Sequence, residues 1–203
     1  MNGYLKDGEI LAILPAPVDS RADTSIAWYE VRVNTKERRT LVNARDINGD
    51  NVATMEVKLL AANEVSITIE ERNIVQLKEK LTLMRDDAGY VRMQIRSRDD
   101  EINITGVSSH PFSASATGRR RLRDNEQQLP KHWERLTDPL TTLADALKVR
   151  ALDSNSWGCT SCMVLLAGVA LGAGVCVEGN PAACAGALQG GAVFIENCGG
   201  VCA

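Results

Sequence analysis

The sequence predicts an α+β protein with a β-rich N-terminal half and a helical, cysteine-rich C-terminus. Residues 1–107 contain short apolar or β-branched segments separated by turn residues, the pattern of an antiparallel sandwich or open barrel. Residues 138–152 carry leucines at helical spacing. All six cysteines and ten of the sixteen glycines lie in residues 153–203, called the tail below. We therefore expect a β-rich domain (1–107), a linker (108–137), an amphipathic helix (138–152) and the tail.

The strand predictions rest on composition and on turn signals between the segments. Asn48-Gly49 predicts a hairpin, because a type I′ turn needs residues that tolerate a positive φ. Asp86–Gly89 predicts a second hairpin. Ile74–Leu83 could instead be helical, because two of its leucines are four residues apart. The predicted strands are Glu9–Leu14, Ser25–Asn34, Asn51–Leu60, Val65–Glu70, Ile74–Met84, Tyr90–Ile95 and Ile102–Val107.

The segment after the predicted sheet is small and polar, then rich in charge, and it is typical of an exposed linker. Its basic run, Arg119–Arg123, fits a solvated surface, a cleavage site for a trypsin-like or dibasic protease, or a contact with an anionic surface. We expect a protease to reach the region Ser108–Lys131 and also residues 151–156, which precede the first cysteine.

The helix predicted for residues 138–152 has start and stop signals of its own. Asp138 is placed to cap it, and Pro139 suits the first helical position. Lys148 and Arg150 in the last turns complement the helix dipole. Three leucines fall on one face and form the stripe that we expect to cover the tail: Leu140, Leu143 and Leu147.

The tail is most simply a helical hairpin. Two apolar arms, Met163–Val177 and Pro181–Ile195, flank a short polar turn. In that turn Gly179 suits the left-handed residue that ends a helix, and Asn180 can cap the next one. The first arm could instead span a membrane, although its fifteen residues reach only about 22 Å of the roughly 30 Å hydrocarbon core.

Each arm carries two glycines at four-residue spacing, which lets two helix backbones approach closely. The composition of the tail alone could also produce this spacing. The predicted helix-packing residues are Gly168 and Gly172 in the first arm and Gly186 and Gly190 in the second.

The cysteines are predicted to form disulfides that staple the hairpin. Cys176 and Cys184 face each other beside the turn. Cys159 and Cys162 then pair with Cys198 and Cys202, in either of two senses. Two alternatives remain open: these four thiolates could bind zinc, or Cys159 and Cys162 could be a redox pair.

Charge and motifs exclude several classes of function. Residues 1–152 are neutral, and the tail has no Lys, Arg or His and only three acidic residues, so we expect no nucleic-acid partner. No motif for a catalytic nucleophile, a metal or a nucleotide is present, and we expect neither an enzyme nor a cofactor. His110 and His132 are expected to be surface loop residues.

The expected location is extracellular. Six clustered cysteines indicate an oxidising destination. Asp7 and Glu9 interrupt any apolar run at the N-terminus, so no secretory signal is recognisable and the export route is not predicted.

The tail opens Gly158-Cys159-Thr160-Ser161-Cys162, continues through Ala/Gly-rich segments with spaced cysteines, and ends Cys198-Gly-Gly-Val-Cys202. In these features it resembles the cysteine-rich microhalocins of the halocin C-eight type and related bacteriocin-like peptides. It has fewer cysteines than that family, and it lacks the family's twin-arginine signal and a strongly acidic surface. The resemblance implies that the peptide is the C-terminal product of a precursor whose N-terminal part confers immunity.

Together these features predict a precursor of a secreted, disulfide-stabilised antimicrobial peptide. The expected partners are a processing protease, the membrane of a target cell or a protein in it, and the precursor's own N-terminal part, residues 1–152. The alternatives are a non-toxic surface or structural protein anchored or assembled through its tail, or a metal-binding module based on thiolates.

Overall fold

The structure, a computed structural model, describes residues 9–16, 26–71, 74–88, 90–96, 101–107, 110–117, 131–150 and 158–202 of the 203-residue chain. It confirms the α+β class, with an antiparallel sheet followed by C-terminal helices. Within these residues nine strands form one sheet, and each strand pairs with the next one in the sequence. The strands are β1 Ile10–Pro15, β2 Ile26–Asn34, β3 Arg39–Asp46, β4 Asn51–Ala61, β5 Glu64–Glu71, β6 Ile74–Arg85, β7 Tyr90–Arg96, β8 Glu101–Val107 and β9 His110–Thr117.

The sheet contains all the predicted strands and two more. β6 is a strand throughout, so the helical alternative for this segment is wrong. The pattern analysis did not assign β3, and β9 lies inside the segment predicted as a linker. β9 was missed because its sequence is small and polar and contains Pro111, a residue that sheets accept mainly at an edge. β9 is the edge strand beside β8, and the β-rich part therefore extends past residue 107.

Both predicted hairpins are present, but the first turn is not of type I′, because Gly49 has a positive φ and Asn48 does not. Gly49 has a φ of +84°, and the Asp46 side chain accepts hydrogen bonds from the N–H groups of Asn48 and Asp50. In the turn between β6 and β7, the side chain of Asp86 accepts from Tyr90 in the same way. Short polar side chains that bind the turn backbone hold the register of the strands on either side.

One face of the sheet is apolar, as the period of two predicts. The buried residues alternate along each strand and face the helices: Tyr29, Val31 and Val33 on β2, Val42 and Ala44 on β3, Met55, Val57 and Leu59 on β4, Val65, Ile67 and Ile69 on β5, Leu81 and Leu83 on β6, Val91, Met93 and Ile95 on β7, and Ile104 on β8. A single sheet of this kind is the open alternative of the two predicted architectures and not the sandwich.

In the described part of the chain after β9 there are four helices: α1 Lys131–Glu134, α2 Thr137–Arg150, α3 Cys159–Val177 and α4 Pro181–Cys198. Helix α2 begins earlier than predicted, because the N–H of Leu140 donates to the carbonyl of Leu136 at 2.9 Å. Asp138 is therefore inside the first turn, and its prediction as the cap is wrong. Pro139 remains acceptable there, because the first turn of a helix has N–H groups without helical partners.

Helix α3 is at the centre of the molecule. Every residue from Ser161 to Cys176 is buried. The helix packs against α2, α4 and strands β2 to β4. A helix that is apolar on all sides is stable in water only when it is enclosed in this way, which explains why the segment has no polar face.

The second arm closes the hairpin against the other half of the sheet. Helix α4 packs on α3 and on strands β6 to β9. The side chain of Asn180 accepts from the N–H groups of Ala182 and Ala183, and Gly179 has a φ of +98°, so both predictions for the turn are confirmed. The two arms together place the tail between α2 and the apolar face of the sheet.

Candidate functional site

The three disulfides lie entirely within the tail. Cys176 pairs with Cys184 beside the turn, as predicted, and the free end of the hairpin is closed by Cys159–Cys202 and Cys162–Cys198. The structure thus selects one of the two predicted senses of pairing. Because Cys159 and Cys162 have different partners, the redox-pair alternative is wrong for this oxidised structure, and none of the four thiolates that a zinc site would need is free.

The predicted leucine stripe lies over α3. Leu140 is fully buried, and Leu143 and Leu147 are partly buried and pack against the core. Ala144, which the stripe prediction omits, is also fully buried. The stripe therefore contributes to a continuous apolar contact between the N-terminal part and the tail.

The glycines of the first arm meet α2 as well as α4. A Cβ at Gly168 would lie 3.1 Å from Thr141 Oγ1 and 3.4 Å from the carbonyl oxygen of Thr137. A Cβ at Gly172 would lie 3.4 Å from both Ala187 Cβ of α4 and Thr137 Cγ2 of α2. Gly168 therefore packs against α2 and not against the second arm, whereas Gly172 packs against both α2 and α4.

In the second arm only one of the two predicted glycines is a packing residue. A Cβ at Gly190 would lie 2.7 Å from Val169 Cγ2 of α3, whereas no atom of the residues that the structure describes lies within 4 Å of a Cβ at Gly186. Gly186 borders a groove of about 510 Å³ between α2 and α4. The packing prediction is therefore correct for Gly190 and wrong for Gly186, because that residue faces open space.

A glycine that the pattern analysis missed fits α4 to the sheet. A Cβ at Gly191 would overlap Met93 Cε of β7 and lie 3.5 Å from Leu83 Cδ2 of β6. The four-residue spacing of glycines singled out only its neighbour Gly190. The two adjacent glycines pack on different sides of α4, Gly190 against α3 and Gly191 against the sheet. The adjacency of two glycines was the available signal.

Two polar contacts connect the sheet to the tail close to its disulfides. The hydroxyl of Thr40, fully buried on β3, donates to the carbonyl of Met163 at 2.8 Å. On the other arm the Arg85 guanidinium forms an ion pair with Glu196. Met163 follows Cys162 directly, and Glu196 is two residues before Cys198, so the contacts lie on either side of one disulfide.

Four side chains, called the α1 anchor below, attach α1 to the sheet: Tyr29, Glu71, His132 and Trp133. Nε2 of His132 lies 2.7 Å from Oε1 of Glu71, and the indole N–H of Trp133 donates to the same oxygen at 3.1 Å. The Tyr29 hydroxyl donates to the carbonyl of His132 at 3.2 Å.

The prediction that His132 is a surface loop residue is wrong, because it contacts two strands and its side chain is 10% exposed. Its neighbour Trp133, which is fully buried, was the missed signal.

The electrostatics of the α1 anchor follow from burial and from hydrogen bonds. Burial pushes the pKa of the Glu71 carboxyl upward, but the hydrogen bonds from His132 and Trp133 and the charge of His132 outweigh it and leave the pKa below its ordinary value. Burial raises the pKa of Tyr29 to about 12, so this hydroxyl remains a proton donor at all physiological pH values. The anchor therefore holds α1, and α2 after it, onto the sheet.

Acid should loosen the α1 anchor. A lowered pKa in the folded state means that the contribution of ionised Glu71 is complete above about pH 5 and is lost as the pH falls through that lowered value. Glu71→Gln should lower Tm at pH 7 and should reduce the fall of Tm between about pH 5 and pH 3, because the titrating group is gone. Thermal unfolding followed by circular dichroism at several pH values measures this. The control is Asp87→Asn, which changes a carboxylate at an exposed turn position. If Tm falls with acid as steeply in Glu71→Gln as in wild type, the role of the carboxylate is contradicted.

Some predicted features lie outside the described residues. These are the basic run Arg119–Arg123 and the expected cleavage region at 151–156.

The membrane alternative is better supported by length than the sequence pattern indicated. Helix α3 has 19 residues, about 28 Å, and meets the length and composition of a membrane span, although 89% of that window is buried inside the molecule. The core helix of a soluble protein meets the same criteria.

Comparisons of the chain with protein-family models, with curated proteins and with solved structures find no match. The resemblance of the tail to the microhalocins therefore stays a prediction.

Proposed function

We propose that the chain is the precursor of a secreted, disulfide-stabilised antimicrobial peptide, and that residues 1–152 sequester the peptide until it is released. One observation carries the proposal: the tail is enclosed by the N-terminal part, yet all three crosslinks are internal to the tail. A cut between Arg150 and Cys159 would leave two parts with no covalent bond between them. The peptide would keep its own crosslinked shape.

The surface that release uncovers supports activity at a membrane. In the precursor, the sheet and α2 cover apolar faces of α3 and α4. An uncovered face of this kind associates with apolar surroundings. Because the tail carries no basic residue, attraction to anionic lipid does not drive the association, and burial of apolar surface does. The expected target is the membrane of another cell or a protein within it.

The same enclosure explains how a producing cell would tolerate the peptide. Leu140 and the neighbouring apolar residues of α2 occupy one side of α3, and the sheet occupies another. A second copy of the N-terminal part could supply these contacts to a free peptide, which is the immunity that the microhalocin resemblance implies. In this account the six cysteines are structural, and no residue has a catalytic role or holds a cofactor.

The test is inhibition of growth by the released tail. Culture supernatant is fractionated for the tail peptide, which is spotted on lawns of a broad panel of related strains, beside the same peptide after reduction and alkylation and beside the intact precursor. We expect clear zones for the oxidised peptide and for neither control, because the crosslinks set its shape and the precursor covers its surface. Absence of zones for the oxidised peptide on the whole panel would contradict the proposal.

The length and composition of α3 favour a second candidate, a non-toxic surface protein anchored through its tail. The fate of the chain distinguishes the two candidates. An anchored protein keeps residues 1–152 and the tail together in the membrane fraction, whereas a precursor is cut and its tail appears in the medium.

A further inference from the structure

The contacts at the free end of the hairpin bear on how the correct disulfides form. Cys159 and Cys162 are one turn apart at the start of α3, and a Cys-x-x-Cys pair at that position is able to form a local disulfide. Six cysteines allow fifteen full pairings. The native pairing requires Cys162 to meet Cys198 across the hairpin, with Cα atoms 5.7 Å apart. Something must hold the two arms in register while these bonds form.

The tail by itself sets this register only from the turn. Cys162 and Cys198 each lie 14 residues from the Cys176–Cys184 crosslink, and α3 is apolar on every side, so hydrophobic burial alone does not favour one rotation about its axis over another. Of the contacts between the arms at Gly172 and Gly190, the nearer, at Gly190, still lies about two turns from Cys198.

The N-terminal part, in contrast, fixes both arms next to the cysteines. Thr40 binds the carbonyl of Met163, one residue from Cys162, and a hydrogen bond of this kind is sensitive to both rotation and translation of the helix. Arg85 pairs with Glu196, two residues from Cys198. Thr40 on β3 and Arg85 on β6 belong to the same hydrogen-bonded sheet, so they set the position of one arm relative to the other.

We propose that residues 1–152 act as a folding template that directs the disulfide pairing of the tail, a function separate from sequestration. The chemistry is ordinary thiol oxidation. For each crosslink two cysteine thiols give two electrons and two protons to a small-molecule disulfide such as glutathione disulfide, which becomes two glutathione thiols. The template supplies no electrons, and it acts by holding Cys162 near Cys198 while the bond forms. It follows that oxidation precedes cleavage.

The test refolds the full-length chain and alters only the N-terminal part. Reduced, denatured chain is diluted into a glutathione redox buffer, free thiols are blocked, and the disulfides are mapped by peptide mass. The double variant Thr40→Val/Arg85→Gln removes both contacts without changing any residue of the tail. The matched control, Thr68→Val/Arg92→Gln, makes the same replacements on other strands, at positions of the sheet that do not face the tail.

We expect the fraction with native pairing to fall by about threefold to tenfold in the Thr40/Arg85 variant, the factor that follows from losing one hydrogen bond and one ion pair. Local Cys159–Cys162 disulfide should increase in parallel, and the control should match wild type. If circular dichroism shows that the double variant loses the sheet, Thr40→Val alone carries the test, with an expected fall of about threefold. Native pairing at the wild-type level in a folded variant would overturn the template. Toxicity does not enter the readout, so this result and the fate of the antimicrobial proposal are independent.

Discussion

Leu140→Asp is expected to destabilise the precursor by at least about 4 kcal/mol and to uncover the tail. Leu140 is fully buried where α2 lies over α3. Removing a buried leucine side chain costs about 2–5 kcal/mol, and placing a carboxylate in the same apolar site adds the cost of an uncompensated charge. Denaturant unfolding measures the loss, and binding of a hydrophobic dye together with proteolysis within α3 reports exposure of the tail.

The control for this variant is Thr142→Asp on the exposed side of the same helix, which should remain within about 0.5 kcal/mol of wild type. Leu143→Asp/Leu147→Asp, the change that the leucine spacing suggests, should have a smaller effect at each position because both residues are only partly buried. In a producing cell, Leu140→Asp should also increase toxicity to the producer. Wild-type stability and dye binding in Leu140→Asp would show that α2 does not cover the tail.

Loss of both crosslinks at the free end of the hairpin should weaken the protein more than loss of the one beside the turn. In the chain-entropy account the stabilisation grows with the size of the closed loop. Closing the free end, where the sequence separations are 36 and 43, should contribute at least about 4 kcal/mol, whereas Cys176–Cys184, with a separation of 8, should contribute about 2.5 kcal/mol. Urea unfolding of Cys176→Ala/Cys184→Ala, and of the variant with alanine at Cys159, Cys162, Cys198 and Cys202, measures the two values.

Cys162→Ala/Cys198→Ala, which keeps Cys159–Cys202, is the control for lost packing, because it removes two buried sulfur atoms as Cys176→Ala/Cys184→Ala does. A loss for the four-alanine variant no larger than the loss for the pair beside the turn would contradict the entropic account. The antimicrobial proposal adds that a peptide without both free-end crosslinks loses most of its activity, because no crosslink then ties the free end of the hairpin.

Local patterns predicted much of this fold because local physics decides those parts. The turn at Asn48-Gly49 and the cap at Asn180 each depend on a few adjacent residues, and the structure contains both. The pairing of Cys176 with Cys184 follows from one tight helical hairpin. The sense of pairing at the free end was also readable, because Cys162 and Cys198 lie equally far from that crosslink. The contacts that Thr40 and Arg85 make with the tail were not, because they come from distant strands.

The parts of the site that were missed all depend on residues far apart in the sequence. His132 has two sheet partners, Tyr29 and Glu71, which lie 103 and 61 residues away. Gly168 was matched to the wrong neighbour, because the spacing of glycines shows which face of a helix has no side chains but not which other helix packs against that face. Strand β9 has a weak intrinsic preference and is held by pairing with β8. Such features appear only when tertiary contacts are known.

The intact mass of the tail species in the culture medium of a producing cell tests the central claim most directly. The account predicts a peptide that starts between Arg150 and Cys159, with a mass about six hydrogens below that of its reduced chain, because three disulfides have formed. It also predicts that no residue of the sheet remains attached. A full-length chain as the only extracellular species, or a tail with six free thiols, would contradict it.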